Sequence, residues 1–176
     1  MSDSWKKPGL KKSKDKALVR VKNARKRFTI KKSKDGVVRC CVGGSRGKSA
    51  AGACSPARLI EAVRVGLSVG ELNVLQASLK VASEQLVKMI GISKATLHRR
   101  MSGGKLGSPE SERVVRFARL MGRAVEVLES ENNARQWLRS PQFGLGGAVP
   151  LEYATTEVGA REVEDLLGRI EYGVYS

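Results

Sequence analysis

The sequence contains few of the residue types from which most enzyme and metal sites are built. It has one histidine, His98, and three cysteines among 176 residues. Cys40 and Cys41 are adjacent, which does not match the C-x2–4-C spacing of zinc sites, so we expect no metal site and interpret the cysteines as free thiols in a reducing compartment. With a single histidine there is no base placed to activate a serine or cysteine nucleophile, and we expect no enzyme activity.

Long apolar runs and aromatic side chains are also scarce. No run approaches the roughly 18–20 residues that span a membrane, and the basic N-terminus lacks the apolar stretch of a secretory signal. These features favour a cytoplasmic protein with no membrane partner. Aromatic residues make up 5% of the chain against 41% for all hydrophobic residues, so aliphatic side chains are expected to build the core.

One glycine-rich segment is similar to a phosphate-binding loop but does not meet its spacing. The motif G-x4-G-K-[ST], if it ended at Gly47, Lys48 and Ser49, would require a glycine where the sequence has Val42. No strand-borne acid for magnesium is predicted after it, and we expect no cofactor. A nucleotide hydrolase is kept as an alternative that an unchanged Lys48→Ala variant would exclude.

The charge is strongly positive overall and changes sign along the chain. Residues 1–55 carry a net charge of +14, residues 56–140 carry +6 and residues 141–176 carry −4. The first two segments suit a polyanion such as nucleic acid. The acidic end would repel DNA and suits a different partner, although the acids of the last helix are interpreted as mostly a solvated face.

Residues 1–55 are predicted to form a basic, disordered tail, because like charges at this density repel and few apolar groups offset the chain entropy. The one candidate strand within it is Val37–Val42. Two interpretations of the tail stay open. It is either a nucleic-acid-binding arm or an upstream stretch of little consequence, including the case of a misassigned start codon.

After residue 55 the sequence predicts an all-α fold. Ser68 with Glu71 has the spacing of a capping box, and the longest helix is predicted from Ser108. Glycines at 66, 91 and 173 are expected to end helices. Residues that favour helix N-termini recur between apolar segments of helical period, at Ser55, Ser68, Ser83, Ser93, Ser108, Ser130 and Thr156.

The segment from Ser83 to Ser102 has the pattern of a helix-turn-helix unit. With Gly91 at the turn, where a positive φ is needed, Leu86, Val87 and Ile90 fall on the buried face. A helical hairpin within a bundle is the alternative interpretation. A homodimer is expected, because such proteins bind two-fold half-sites. The predicted DNA-binding residues are Ser93, Lys94, His98 and Arg99, with Arg100 holding the DNA backbone.

Five motifs occur in order along the chain: LIEAVRVGL at 59–67, ISKATLHRR at 92–100, LGG at 145–147, TEVGA at 156–160 and LLGRIEYGV at 166–174. With these motifs, the sequence from residue 59 to the end resembles the Xre-type antitoxins that pair with RES-domain toxins, and the MbcA and ParS antitoxins that share their C-terminal domain. The basic front is not part of that pattern.

After the tail 1–55, the resemblance implies two domains: a helix-turn-helix bundle 56–122 that binds operator DNA and represses the shared operon, and a small helical toxin-binding domain 123–176. Its C-terminal end is implied to block the active site of an NAD-degrading RES-domain toxin. A stand-alone regulator without a toxin is the alternative function, and Val174 and Tyr175 folding back onto the core is the alternative structure. The residues implied to contact the toxin are Arg169, Glu171, Tyr172, Val174, Tyr175 and Ser176.

Overall fold

A computed structural model describes residues 36–42 and 55–174, all within a unit that spans residues 31–176. In these ranges the chain forms α-helices and one 3₁₀ turn, with a single isolated bridge between Ser68 and Lys105 and no extended strand. The predicted all-α class is confirmed. The elements are α1 (Val37–Val42), α2 (Pro56–Val65), α3 (Val69–Leu79), α4 (Ser83–Ile90), α5 (Lys94–Gly103), α6 (Ser108–Leu128), α7 (Glu131–Arg139), the 3₁₀ turn (Phe143–Leu145), α8 (Pro150–Tyr153) and α9 (Glu157–Glu171).

Helix α6 is the centre of the fold. Its apolar residues recur at helical spacing, and Val114, Phe117 and Met121 are fully buried. Helices α1, α2, α3, α4, α7 and α9 all contact it. Because α6 contacts both α4 and the last helix, α9, it holds the predicted helix-turn-helix and the C-terminal helix in one packed unit. No helix in the described ranges is long and apolar enough to cross a membrane.

Helix α1 corrects the sequence prediction for residues 37–42. They form a helix instead of a strand, and Val38 and Val42 are buried in the core instead of belonging to a disordered tail. The β-branched residues suggested a strand, but the spacing of the two buried valines, four residues apart, matches one helix face. The other residues of the predicted tail, and the glycine-rich segment that follows Val42, lie outside the described residues.

Two contacts with other helices explain how α1 is held against the core. Gly122 of α6 allows the backbones to touch, because a Cβ there would overlap the carbonyl oxygen of Cys41 and lie 3.0 Å from its carbonyl carbon. The carboxylate of Glu71 accepts a hydrogen bond of 2.8 Å from the backbone N–H of Val38, which has no partner within its own helix. Glu71 therefore serves α1, and the predicted capping box does not form, since Ser68 makes no side-chain cap.

The cysteines of α1 differ from their predicted state. Cys40 is disulfide-bonded, so the expectation of free thiols is wrong for this residue. Burial raises the pKa of the Cys41 thiol, which disfavours the reactive thiolate.

Most of the predicted helix starts are confirmed. The side chains of Ser55, Ser93, Ser130 and Thr156 each accept a hydrogen bond from a backbone N–H of the following turn. Ser83 is the first residue of α4 rather than its cap, and its hydroxyl instead accepts from the Gln76 side chain.

Candidate functional sites

Helices α4 and α5 form the predicted helix-turn-helix. Gly91 ends α4 with φ of +64°, the left-handed conformation that the turn requires. Leu86, Val87 and Ile90 are buried, as predicted. Arg113 of α6 donates a hydrogen bond of 2.6 Å to the carbonyl oxygen of Ile90. The end of α4 is thereby tied to the central helix, which fixes the direction in which α5 leaves the turn.

The outer face of α5 carries four of the five predicted DNA-binding residues. Ser93, Lys94, His98 and Arg99 are all exposed. The hydroxyl of Ser93 accepts from the backbone N–H of Thr96 at 3.0 Å, so its first role is to cap the helix. All four side chains are therefore accessible to a nucleic acid.

Lys94 has an intramolecular partner in this structure. Its Nζ lies 2.6 Å from Oε1 of Glu84 on α4, and both side chains are exposed. The hydrogen bond from Lys94 holds the pKa of Glu84 below its ordinary value. A DNA phosphate that binds Lys94 must replace this carboxylate, which an exposed ion pair permits at little cost.

Arg100 is placed differently from the other four residues. Its Nε donates to the carboxylate of Glu110 at 3.0 Å, and Glu110 is almost completely buried. The same carboxylate accepts from the backbone N–H of Gly107 at the start of α6. Arg100 thus links α5 to α6, a contact that holds the outer face of α5 in position.

A row of arginines on α6 faces a row of glutamates on α9. The acids of α9 were interpreted as mostly a solvated face; three of them are accessible to solvent and also pair with arginines of α6. We call these contacts the ion-pair ladder. Its pairs are Arg116–Glu157 at 2.9 Å, Arg119–Glu164 at 3.4 Å and Arg123–Glu171 at 2.5 Å.

The C-terminal tail projects from the end of α9. Tyr172 is 79% exposed and Val174 is 53% exposed, so Val174 does not fold back onto the core. Gly173 has a φ of +68°, and the backbone N–H of Val174 bonds to the carbonyl oxygen of Arg169 at 2.9 Å. The tail therefore ends the helix in an ordered turn and presents an aromatic ring to solvent.

The other residues implied to contact a toxin have varied surroundings. Glu171 is paired within the chain by Arg123. Arg169 is half-buried, and its Nε is buried without a hydrogen-bond partner among the described residues. Tyr175 and Ser176 lie outside the described residues.

Phe143 is an exposed aromatic residue that sequence reasoning did not single out. It is 99% exposed on the 3₁₀ turn, and the turn packs on α9, where Gly144 lies against the side chain of Leu166. Residues 143–149 have no helical period in the sequence, and a segment without such a period does not indicate which way a side chain points. The sequence feature that could have drawn attention to Phe143 is its position directly before a glycine.

The described residues contain no cluster of three or more histidine, cysteine or acidic side chains that could hold a metal ion. A shallow groove of about 140 Å³ lies between α2, α6 and α9. Its charged lining includes Arg116, Arg119, Glu157 and Glu164, which are engaged in the ion-pair ladder.

Two family models match consecutive segments of the chain. The model of the antitoxin Xre-like helix-turn-helix domain matches residues 58–119, which include α4 and α5. The model of the antitoxin Xre/MbcA/ParS C-terminal toxin-binding domain matches residues 123–173, which include α9 and the start of the tail. Helix α1 lies outside both matches.

Three relatives match most of this chain. A protein named Antitoxin Xre from Yersinia enterocolitica serotype O:8 / biotype 1B is 34% identical over 120 residues, which cover 67% of this chain and 81% of the relative. Another Antitoxin Xre, from Photorhabdus laumondii subsp. laumondii, is 36% identical over 113 residues, 63% of this chain and 76% of the relative. A Prs ADP-ribosylating antitoxin from Sphingobium sp. is 25% identical over 132 residues, 69% of this chain and 83% of the relative.

These matches agree with the geometry, in which a helix-turn-helix with an exposed basic helix is followed by a helical domain with an exposed tail. The chain therefore belongs to the Xre family of antitoxins, with a DNA-binding helix-turn-helix domain and a C-terminal toxin-binding domain.

Proposed function

We propose that this antitoxin neutralises a RES-domain toxin that degrades NAD⁺ by inserting its C-terminal tail into the toxin's active site. The observation that carries the proposal is the tail itself: Tyr172 and Val174 are exposed apolar residues at the end of a helix that is fixed to the body of the protein. Such a projection has the shape to enter a concave site. Residues Arg169, Tyr175 and Ser176 complete the proposed contact surface, and Glu171 lies at its base, paired with Arg123.

The energetics favour Tyr172 as the anchor of this contact. A tyrosine that becomes fully buried removes about 150–250 Å² from water, and the free energy gained is about 3 kcal/mol or more at about 25 cal/mol per Å² of apolar area. Exposed aromatic side chains that fill a pocket are the residues that most often dominate binding.

The experiment uses the RES-domain protein encoded beside this gene, measured for NAD⁺ consumption with and without the antitoxin. Tyr172→Ala should weaken inhibition at least about tenfold, because loss of a buried aromatic anchor costs about 2 kcal/mol or more. Tyr153→Ala is the matched control, since Tyr153 is also partly exposed but lies on α8. Equal inhibition by both variants would count against insertion of the tail.

We propose further that the outer face of α5 binds the operator of the antitoxin's own operon, as a homodimer on two-fold half-sites about 34 Å apart. Lys94, His98 and Arg99 are the exposed side chains within reach of bases and phosphates, while Arg100 positions the helix through Glu110. Arg99→Ala should weaken operator binding and lower its salt dependence by about one ion. Arg161→Ala, an equal charge change at an exposed site on α9, should leave both unchanged.

The proposal assigns no catalytic activity to the antitoxin itself and places its action in the cytoplasm, where the operon is. Its partner could also be an ADP-ribosyltransferase, an alternative favoured by the name of the Sphingobium relative. An assay with labelled NAD⁺ distinguishes the two kinds of toxin. A RES-domain toxin consumes the NAD⁺ without labelling protein, whereas an ADP-ribosyltransferase transfers labelled ADP-ribose to a protein. If the chain is instead a stand-alone regulator, we expect that no protein encoded beside its gene binds it.

A further inference from the structure

The last rung of the ion-pair ladder lies directly at the base of the tail. Nη2 of Arg123 is 2.5 Å from Oε2 of Glu171, and Nη1 is 3.4 Å from Oε1, so the guanidinium contacts both carboxylate oxygens. Both side chains are about one third exposed. Paired contacts of this kind fix orientation as well as distance.

The position of Glu171 gives this contact a specific purpose. Glu171 is the last residue of α9, and a negative charge at a helix C-terminus is repelled by the carbonyl ends of the helix. No feature of α9 itself favours a carboxylate there. The hydrogen bond that Arg123 donates to Glu171 raises the pKa of Arg123, in agreement with a strong mutual interaction, and Arg123 also contacts Glu126 at 3.1 Å.

The turn that follows depends on this last helical residue. The backbone N–H groups of Gly173 and Val174 bond back to the carbonyl oxygens of Ile170 and Arg169, at 3.2 and 2.9 Å. If the last turn of α9 frays, these two bonds are lost and Tyr172 is no longer held in one direction. A tail that is ordered before binding avoids the entropy cost of ordering on binding.

We infer that Arg123 is a positioning residue, which through Glu171 holds the end of α9 and the tail Tyr172–Val174 in the conformation that the toxin meets. The inference rests on the proposed function, in which this tail enters the toxin. It also changes the role of Glu171: this glutamate acts on the toxin through Arg123 and the helix end, and not by direct contact.

The test compares Arg123→Gln with Arg119→Gln. Both variants remove one positive charge from the ladder, but Arg119 pairs in the middle of α9, at 3.4 Å, and is 57% exposed. Two quantities are measured on the full chain: the hydrogen-exchange rates of the Gly173 and Val174 amides in the antitoxin alone, and the Kd for the RES-domain protein encoded beside it.

Arg123→Gln should speed exchange at both amides and raise Kd about fivefold, the effect of losing an ion pair at the upper end of the surface range. Arg119→Gln should change neither by more than about twofold. Arg123→Lys should recover part of both effects, because it keeps the charge but cannot make the paired contact. Operator affinity and the thermal midpoint should stay close to those of the parent chain in all three variants.

A second comparison separates positioning from direct contact. Adding Glu171→Gln to Arg123→Gln removes the unpaired charge from the helix end, so exchange should slow again and Kd should not rise further. A further rise in Kd would show that Glu171 touches the toxin and would overturn the inference. Identical behaviour of Arg123→Gln and Arg119→Gln would overturn it as well.

These outcomes are distinguishable from failure of the proposed function. If the parent chain does not bind the RES-domain protein, the proposed function fails, and the exchange rates of the free antitoxin still decide whether Arg123 orders the tail.

Discussion

Replacing Gly122 with alanine tests whether α1 is part of the folded antitoxin. Gly122 lies where α6 and α1 touch, and an added Cβ would overlap the carbonyl oxygen of Cys41. The obstacle is backbone, which cannot rotate away as a flexible side chain can. Either α1 moves outward as a unit or α6 bends, and both weaken the contacts of Val38 and Val42.

The size of the effect follows from two opposing terms. Overpacking a methyl group against a closely packed neighbour costs about 1–3 kcal/mol, while alanine in a helix interior is favoured over glycine by about 1 kcal/mol. The largest loss is complete undocking of α1, which would expose two valines worth about 1.5–3 kcal/mol each. Because the obstacle is backbone, the overpacking cost lies in the upper part of its range, and we expect Gly122→Ala to lower the free energy of unfolding by about 1–2 kcal/mol.

The assay is urea denaturation followed by circular dichroism. Gly168→Ala is the control, because Gly168 is also inside a helix but a Cβ there meets no atom within 4 Å, so this variant should be neutral or more stable by up to about 1 kcal/mol. If Gly122→Ala were as stable as Gly168→Ala, the packing of α1 against α6 would be refuted.

Two further predictions concern the DNA-binding half. Gly91→Ala should lower the free energy of unfolding by about 1 kcal/mol, because alanine resists the φ of +64°, and should weaken operator binding, measured by fluorescence anisotropy. Glu84→Gln should strengthen operator binding, because it releases Lys94 and removes a negative charge that faces the DNA. The pKa of Glu84 is lowered from 4.5 in the folded protein, so any stability that this carboxylate contributes is present at neutral pH and is lost as the pH falls through the lowered pKa. Stability curves of the parent chain and Glu84→Gln should therefore converge in acid.

Local signals in the sequence were enough to predict the helix-turn-helix and most of the helix starts after residue 55. A serine or threonine that caps a helix acts within one turn of the chain. Ser93 and Thr156 each accept a hydrogen bond from the backbone N–H three residues later. The spacing of apolar residues along α6 is also a local property of the sequence, and it identifies the buried face of this helix. Gly91 was predictable because only its own backbone conformation decides the turn.

Contacts between distant segments were not predictable in this way. The strand prediction for 37–42 failed because the pocket that accepts α1 is made by Gly122 and Glu71, residues far away in the sequence. From its local sequence Glu71 was predicted to belong to a capping box, but its carboxylate instead accepts a hydrogen bond from the backbone of Val38. The ion-pair ladder joins residues 41 to 48 positions apart, and no local pattern indicates which arginine meets which glutamate.

The most direct test of the central claim is inhibition of the proposed RES-domain toxin by a chain that lacks residues 172–176. NAD⁺ consumption and operator binding are measured in parallel with the full chain and the shortened one. The account predicts that the shortened chain loses inhibition by about tenfold or more and binds operator DNA as the full chain does. Full inhibition by the shortened chain would contradict the account.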